Sequence, residues 1–353
     1  MSDSLVYLTL DQQIEKLKSQ KLEFLNENFA REVLQIYGYF NIINGYREPY
    51  IFKNDTGLKE YYPGITFEQI FNLFVFDTTI RDGIMASMID FENYLKATIA
   101  DIIGSSFSID HNVYLTRNNY RDKRVSNPRF CRNEILYTLE KTARYSNKEP
   151  IKYYRDKYHI IPPWILFKDT YFATIVNLTR FFKSREREIL LHRLYGDNIP
   201  GEQIEDYKDL MSDSLFMFLD YRNQCAHGGR IYNYHPKTTL RPFLGHTATV
   251  GLHQLAQALN CFEYENPFYV FNEAAIKAIN TYCESYPTAE DIHRLEVATG
   301  FTITHNNYIW INPKTHIFHS SPICSGSQNL QRITHDQLNE TIFKPCKRCC
   351  NKN

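Results

Sequence analysis

The chain has 353 residues, of which 43% are hydrophobic, and its 40 Lys and Arg residues balance 40 Asp and Glu residues. This length suits one large domain with an appendage, or two domains. Because the net charge is zero, the chain as a whole does not attract a polyanion, and contact with nucleic acid requires a local basic patch. The N-terminus lacks the basic and apolar segments of a signal peptide, and no apolar run is long enough to span a bilayer. We therefore expect a cytoplasmic protein without membrane contact.

The first hundred residues predict a series of helices. Ile14, Leu17 and Leu22 are spaced for one face of a helix that a Thr or Asp would cap. A second helix, through "FAREVLQIYGYF", is expected to end in a turn around Gly45 and Pro49. The longest periodic pattern, "TFEQIFNLFVFDTTIRDGIMASMIDFENYLKATIADIIGSSF", predicts one long buried helix or two abutting helices.

A basic segment without apolar periodicity, "RDKRVSNPRFCRNE", occupies residues 121–134. Its Pro and its charges are typical of an exposed loop. Two interpretations stay open at this point. The loop is either a solvated connector or a patch in which Arg121 and Arg124 contact RNA phosphates.

Helical patterns dominate up to about residue 285. "PPWILFKDTYFATIVNLTRFF" predicts a buried helix after two prolines, and "EQIEDYKDLMSDSLFMFLDYRNQCAH" predicts a long helix that stops at Gly228 and Gly229. Beyond residue 285, "TGFTITHNNYIWINPKTHIFHS" alternates like short strands around an Asn-Pro turn. We therefore predict a mainly α protein, with a helical domain at residues 1–285 and a small α+β unit at residues 286–353.

The end of the last long helix carries groups that suit RNA chemistry. Asn223 and His227 are four residues apart and share a helix face, with Arg222 to their side. Metal-independent cleavage needs proton transfer, for which His is suited, and charge stabilisation on the phosphorane, for which Arg is suited. In the last turn, the helix dipole favours a cationic His227 that acts as an acid or binds phosphate. One such set is not a full acid–base pair, which predicts a homodimer. The alternative is a dipole-compensating helix end without chemistry.

The stretch "RNQCAHGGRIYN" resembles the R-N-x-C-A-H-x-x-R-h-x-N signature of the abortive-infection proteins of the AbiD and AbiF type, within the HEPN superfamily of all-helical RNases and RNA-binding domains. Further stretches agree in order and spacing over residues 8–250: "QQIEKLKSQ", "YGYFNIINGYREPY", "FDTTIRD" and "PPWILFKDTYF". The sequence departs from the family at Gly228 and Gly229, where the family often has His and Ser.

The resemblance implies a HEPN-type helical bundle and a role for each matching residue. Arg222 and His227 match the catalytic pair, and Asn223 matches the polar residue beside that Arg. Arg230 and Asn233 match the rest of the signature, where a structural role and RNA contact are equally compatible. The resemblance implies a metal-independent endoribonuclease in anti-phage abortive infection or a toxin–antitoxin system. It also implies a restraint, for which a small regulatory RNA is a candidate. The alternative is a non-catalytic RNA-binding HEPN scaffold.

The C-terminal segment carries a second constellation, in which four of the eight cysteines lie within the last thirty residues. His319, Cys324 and the C-x-x-C pair Cys346 and Cys349 form a set typical of a closed structural Zn²⁺ site. The segment also resembles a small zinc module of bacterial proteins, except that its His-to-Cys gap is one residue longer, so His316 or Cys350 are alternatives to His319. A metal-free tail is the other interpretation. We expect Zn²⁺ to be structural and catalysis to need no metal.

Overall fold

The protein is mainly helical, which confirms the predicted fold class. The computed structural model describes residues 7–243, 249–285, 287–303, 308–319, 330–334, 338–339, 341–347 and 350. Its α-helices are α1 (Leu10–Ser19), α2 (Glu27–Tyr37), α3 (Phe67–Ser106), α4 (His111–Tyr114), α5 (Arg132–Tyr145), α6 (Ile151–Tyr158), α7 (Pro163–Leu166), α8 (Phe172–Thr179), α9 (Ser184–Tyr195), α10 (Ile204–Ala226), α11 (Gly251–Asn260), α12 (Asn266–Glu284) and α13 (Ala289–Thr299). Within the described residues, none of these helices combines the length and the apolar character that crossing a bilayer requires.

The strands form two small sheets. They are β1 (Ile51–Lys53), β2 (Lys59–Tyr61), β3 (Tyr308–Asn312), β4 (Ile317–His319), β5 (Gln331–Thr334) and β6 (Lys344–Pro345). β1 and β2 pair as an antiparallel hairpin, and the second sheet has the order β5-β3-β4-β6, in which only the β4–β6 pair is parallel. The predicted strands around the Asn-Pro turn are therefore present as β3 and β4.

Contacts along the chain define two compact units, in which α3 and α12 each contribute to both. The first comprises residues 1–81, 230–233 and 274–353, and the second comprises residues 82–229 and 234–273. The C-terminal residues 274–353 thus group with the first 81 residues. The division predicted at residue 286 stays a prediction.

In the first unit, the N-terminal helix follows its sequence closely, whereas the second helix is shorter than expected. Thr9 caps α1 with a capping box, and the predicted apolar face is buried. α2 ends at Tyr37 because Gly38 takes a φ of 81°, which favours glycine. The chain then continues as a π-helix over Phe40–Asn44 before it reaches Gly45.

In the second unit, aromatic packing holds α10 against α3. The ring centroids of Phe91 on α3 and Phe218 on α10 lie 4.9 Å apart at 83°, and Phe262, just after α11, lies 5.0 Å and 5.5 Å from them. All three rings are buried, and such edge-to-face pairs add to the free energy of burial. This cluster fixes the helix that carries Arg222 and His227.

The predicted buried helix after Pro162 is interrupted, which corrects the sequence interpretation. A 3₁₀ turn over Phe167–Asp169 follows α7, and Thr170 is extended before α8 begins at Phe172. The Thr170 hydroxyl donates a 2.9 Å hydrogen bond to the carbonyl of Leu166. Because Thr competes for backbone acceptors in this way, it weakens helix continuity at this position.

Candidate functional site

The end of α10 is built by its glycines. His227 is the C-cap, and Gly228 follows with a φ of 66°. The amide of Gly229 donates to the carbonyl of Gln224 at 2.9 Å, and that of Gly228 donates to Cys225 at 3.0 Å. These two bonds form a Schellman motif, which satisfies the last carbonyls of the helix. The predicted stop at the glycine pair is confirmed.

Arg222 is held by a carboxylate on a neighbouring helix. Its Nε lies 3.5 Å from Oε2 of Glu92 on α3, and Oε1 of Glu92 lies 2.7 Å from Nζ of Lys96. The side chains are 29% exposed for Arg222, 12% for Glu92 and 17% for Lys96. Within the described residues, no atom accepts a hydrogen bond of good geometry from this Nε, so the contact is ionic. One carboxylate between two cations leaves this group with a net positive charge.

Glu92 and Lys96 were not found by sequence reasoning. They are four residues apart in "ENYLK", a spacing that usually indicates a solvent-exposed pair on one helix. Nothing in that local pattern shows that Arg222, which lies 126 residues after Lys96, would contact Glu92. The pairing depends on the packing of α10 against α3.

His227 and Asn223 lie at the same helix end with different exposure. His227 is exposed and Asn223 is half-buried, and the amide of His227 donates to the carbonyl of Asn223 at 3.1 Å. Five residues turn an α-helix by about 140° beyond one full turn. The side chains of Arg222 and His227 therefore leave the helix in different directions, and one chain presents them as two separate groups of one helix end.

The signature residues after the helix are anchored in the first unit by a buried acid. Asp77 is fully buried, and its Oδ1 accepts hydrogen bonds from the amides of Ile231 at 2.8 Å and Tyr232 at 2.6 Å. Its Oδ2 accepts from the hydroxyl of Tyr46 at 2.7 Å and lies 3.4 Å from Nη1 of Arg81. Burial raises the pKa of Asp77, against the lowering effects of these donors and of Arg81. We call these five residues the Asp77 hub.

The structure gives Arg230 an internal partner and places Asn233 at a small cavity. Nη1 of Arg230 donates to the carbonyl of Gly45 at 2.5 Å, and its guanidinium lies 5.6 Å from the ring centroid of Tyr232. Asn233 is half-buried and lines a cavity of about 150 Å³ beside Tyr50. For Arg230, these contacts support the structural side of its two predicted roles. RNA contact by either residue stays a prediction.

The basic side chains of the predicted loop differ in their exposure. Arg121 is half-buried, and its amide donates to the carbonyl of Phe181 at 2.8 Å, whereas Arg124 is exposed. α5 already begins at Arg132. Arg121 thus belongs to a packed part of the second unit, and Arg124 alone of the two matches the solvated loop that was predicted.

Two of the four predicted zinc ligands, Cys324 and Cys349, lie outside the described residues. The parallel register pairs Phe318 with Pro345, so the next residues, His319 and Cys346, follow at neighbouring positions of adjacent strands. The amide of Cys346 donates to the carbonyl of Phe318 at 2.8 Å. In the part of the chain that the structure describes, no three His, Cys, Asp or Glu side chains are grouped to hold a metal.

Fold and site together define a mainly helical protein that presents an arginine, an amide and a histidine at one helix end. The model of the Abi-like protein family matches residues 32–233, which is 202 of 353 residues and includes both the Asp77 hub and the end of α10. The chain belongs to this Abi-like family, whose members are abortive-infection-type proteins. No curated protein and no solved structure matches the chain.

Proposed function

We propose that this protein is a metal-independent endoribonuclease of the HEPN type, which acts as an abortive-infection or toxin effector against phage. The observation that supports this most directly is the presence of both Arg222 and His227 at the end of α10. His227 is exposed and Arg222 is partly exposed, and both lie within the residues that match the Abi-like family. An imidazole and a guanidinium at one accessible helix end suit a phosphodiester substrate.

The proposed reaction is transesterification within the RNA strand. The 2′-hydroxyl loses its proton and attacks the adjacent phosphorus, the bond to the 5′-oxygen breaks, and that oxygen takes up a proton. The products are a 2′,3′-cyclic phosphate and a 5′-hydroxyl end. Arg222 would stabilise the charge of the phosphorane, and His227 would transfer one of the two protons. Asn223 would orient the strand, and Glu92 would position Arg222 through their ionic contact.

Two proton transfers need two groups, whereas one chain supplies one His227. The different directions of Arg222 and His227 also make a complete site within one helix end unfavourable. A homodimer in which two α10 ends face the same RNA would supply both groups. We therefore propose a homodimer as the active species, with RNA as its substrate and a small regulatory RNA as its restraint.

The purified protein provides a direct test. Native protein, Arg222→Ala and His227→Ala are incubated with total bacterial RNA in EDTA, and new 5′-hydroxyl ends are mapped. His235→Ala is the matched control, because His235 is also exposed but lies outside the signature. We expect new ends with the native protein and with the control, and a loss of at least about 100-fold with the other two variants. Equal cleavage by the native protein and His227→Ala would refute the assignment.

A non-catalytic RNA-binding scaffold is the second candidate, and the Glu92 contact favours it. An arginine that is already paired with a carboxylate is better suited to binding a phosphate in one fixed geometry than to stabilising the charge that develops during a reaction. If the native protein binds RNA in a salt-dependent manner but produces no new ends, with or without phage-derived RNA, the scaffold is the better description.

For the C-terminal segment we propose a structural zinc ion that takes no part in cleavage. The register that brings His319 and Cys346 to neighbouring positions fits an N and S ligand pair, with Cys324 and Cys349 as the remaining predicted ligands. Metal analysis of native protein should give one zinc per chain, and Cys346→Ser should reduce it. A chelator should lower the melting temperature but leave RNA cleavage in place, whereas loss of cleavage would favour a zinc-dependent enzyme.

A further inference from the structure

A cationic cavity lies in the second unit, apart from the residues of the proposed RNase site. It has a volume of about 330 Å³ and is lined by four basic side chains, those of Arg121, Lys123, Arg180 and Arg187. Small-molecule sites typically occupy about 300–1,000 Å³, so this cavity has room for a diphosphate or for a mononucleotide.

The lining of the cavity carries more basic than acidic side chains. Within the described residues, none of the four forms an ion pair, and the one acid of the lining, Asp213, is bound bidentately by Arg241 at 2.8 Å and 3.0 Å. The lining therefore holds four cations and one acid, and Glu205, whose pKa is lowered by Lys208 and in part by Arg187, is a further acid within electrostatic reach. A cleft lined mostly by charges of one sign raises the local concentration of counter-ions, so this cavity favours anions.

Burial lowers the pKa of three of these cations, and the charge of neighbouring cations adds to this effect for two of them. Burial lowers the pKa of Arg180, and burial together with Arg187 lowers that of Arg121. Burial lowers the pKa of Lys123 as well, followed by the charges of Arg121, Arg180 and Arg187. A bound anion would relieve this repulsion and stabilise the charged forms.

The cavity is also preorganised. Nε of Arg121 donates to the carbonyl of Arg180 at 2.9 Å, and Nη1 of Arg180 donates to Oδ1 of Asn177 at 3.2 Å. The guanidinium of Arg180 lies 5.3 Å from the ring centroid of Phe216, within reach of a cation–π interaction. Two of the four cations are thus held in place before any ligand arrives, and a planar guanidinium beside a ring is a surface on which a base can stack.

From this geometry we infer that the Arg121, Lys123, Arg180 and Arg187 cavity is a binding site for a phosphate-bearing ligand with a flat ring. The phosphate contacts the four cations, and the ring packs against Arg180 beside Phe216. A free nucleotide and a phosphate of an RNA strand both carry this chemistry. The site does not use Arg222 or His227, so it stands independently of the proposed RNase activity.

Calorimetry on the purified full chain tests the inference. The probes are inorganic pyrophosphate, ADP and a 5′-phosphorylated pentauridylate at low salt, and the key variant is Arg187→Gln. Arg185→Gln is the matched control, because it removes the same charge from an exposed position of the same helix. Circular dichroism establishes that each variant is folded.

We expect at least one probe to bind the native protein and Arg187→Gln to weaken its affinity at least tenfold, as the loss of a charge-assisted hydrogen bond does. The control should stay within about twofold, and His227→Ala should bind like the native protein. Tighter binding of ADP than of pyrophosphate identifies a free nucleotide as the ligand, whereas Arg187-dependent binding of the pentauridylate alone identifies an RNA phosphate. Binding of pyrophosphate as tight as that of ADP would overturn the ring contact. Absence of binding by all probes, or equal weakening by Arg185→Gln, would overturn the inference.

Discussion

In the Asp77 hub, one substitution removes several buried interactions at once. Asp77→Ala removes the acceptor for the amides of Ile231 and Tyr232 and for the hydroxyl of Tyr46, and leaves Arg81 without its carboxylate. A buried donor without a partner costs about 1–3 kcal/mol, and breaking a buried ionic contact by removing one partner costs about 3–5 kcal/mol. Because these costs overlap and water can reach some of the donors, we expect a loss of about 3–5 kcal/mol in the free energy of unfolding.

Urea denaturation followed by circular dichroism measures this loss, with Asp82→Ala as the matched control. Asp82 is exposed and lies about 1.4 turns from Asp77 on the same helix, so its removal should change the free energy of unfolding by less than about 0.5 kcal/mol. Amide exchange provides a local readout, because the amides of Ile231 and Tyr232 should exchange faster in Asp77→Ala. An unchanged urea midpoint together with unchanged exchange at these two amides would refute the hub as a stabilising anchor.

The pH dependence of the same residue has a defined sign. Burial raises the pKa of Asp77 above its ordinary value of 3.8, so the folded chain keeps the proton to a higher pH than the unfolded chain. The unfolded state binds fewer protons in that window, and stability contributed by Asp77 therefore falls as the pH rises above about 4. Asp77→Asn cannot ionise, so the stability advantage of the native protein over this variant should shrink from pH 4 to pH 7. A constant or growing advantage would contradict the raised pKa.

Three further predictions concern the helix end, the positioning carboxylate and a buried thiol. Gly228→Ala should lower the free energy of unfolding by about 1 kcal/mol, because residue 228 has a φ of 66°. Gly229→Ala should cost less, because its new Cβ meets only the movable end of a side chain. Equal urea midpoints for the two variants would contradict backbone strain at residue 228. Glu92→Gln should slow RNA cleavage about tenfold at an unchanged melting temperature, and Glu92→Asp should restore part of it, because Glu92 acts through Arg222; a native rate in Glu92→Gln would remove its positioning role. Burial raises the pKa of the Cys261 thiol to about 11, so alkylation at pH 8 should be at least tenfold slower in the folded than in the urea-unfolded chain, and equal rates would contradict the burial.

Local signals in the sequence were sufficient for the ends and faces of several helices. Thr9 and the glycine pair at 228 and 229 mark helix ends through hydrogen bonds within a few residues, and these were predictable because the partners are close in sequence. The interruption at Thr170 was not, because an apolar pattern continues through it while a hydroxyl takes over a backbone acceptor. Periodicity reports which face is buried and does not report a local competition for carbonyls.

The candidate functional residues show the same limit of local sequence signals. Arg222 and His227 were predicted as site residues because both lie within one short motif, yet the motif could not show that Glu92 lies against Arg222 from another helix. Arg121 was placed in an exposed loop, because nothing in "RDKRVSN" indicates that its guanidinium packs on the end of α8 and joins Arg180 and Arg187 around one cavity. Charges that are distant in sequence become a site only through packing. For this chain, the helix end that carries Arg222 and His227 was therefore predictable from sequence, and the cavity lined by four cations required the fold.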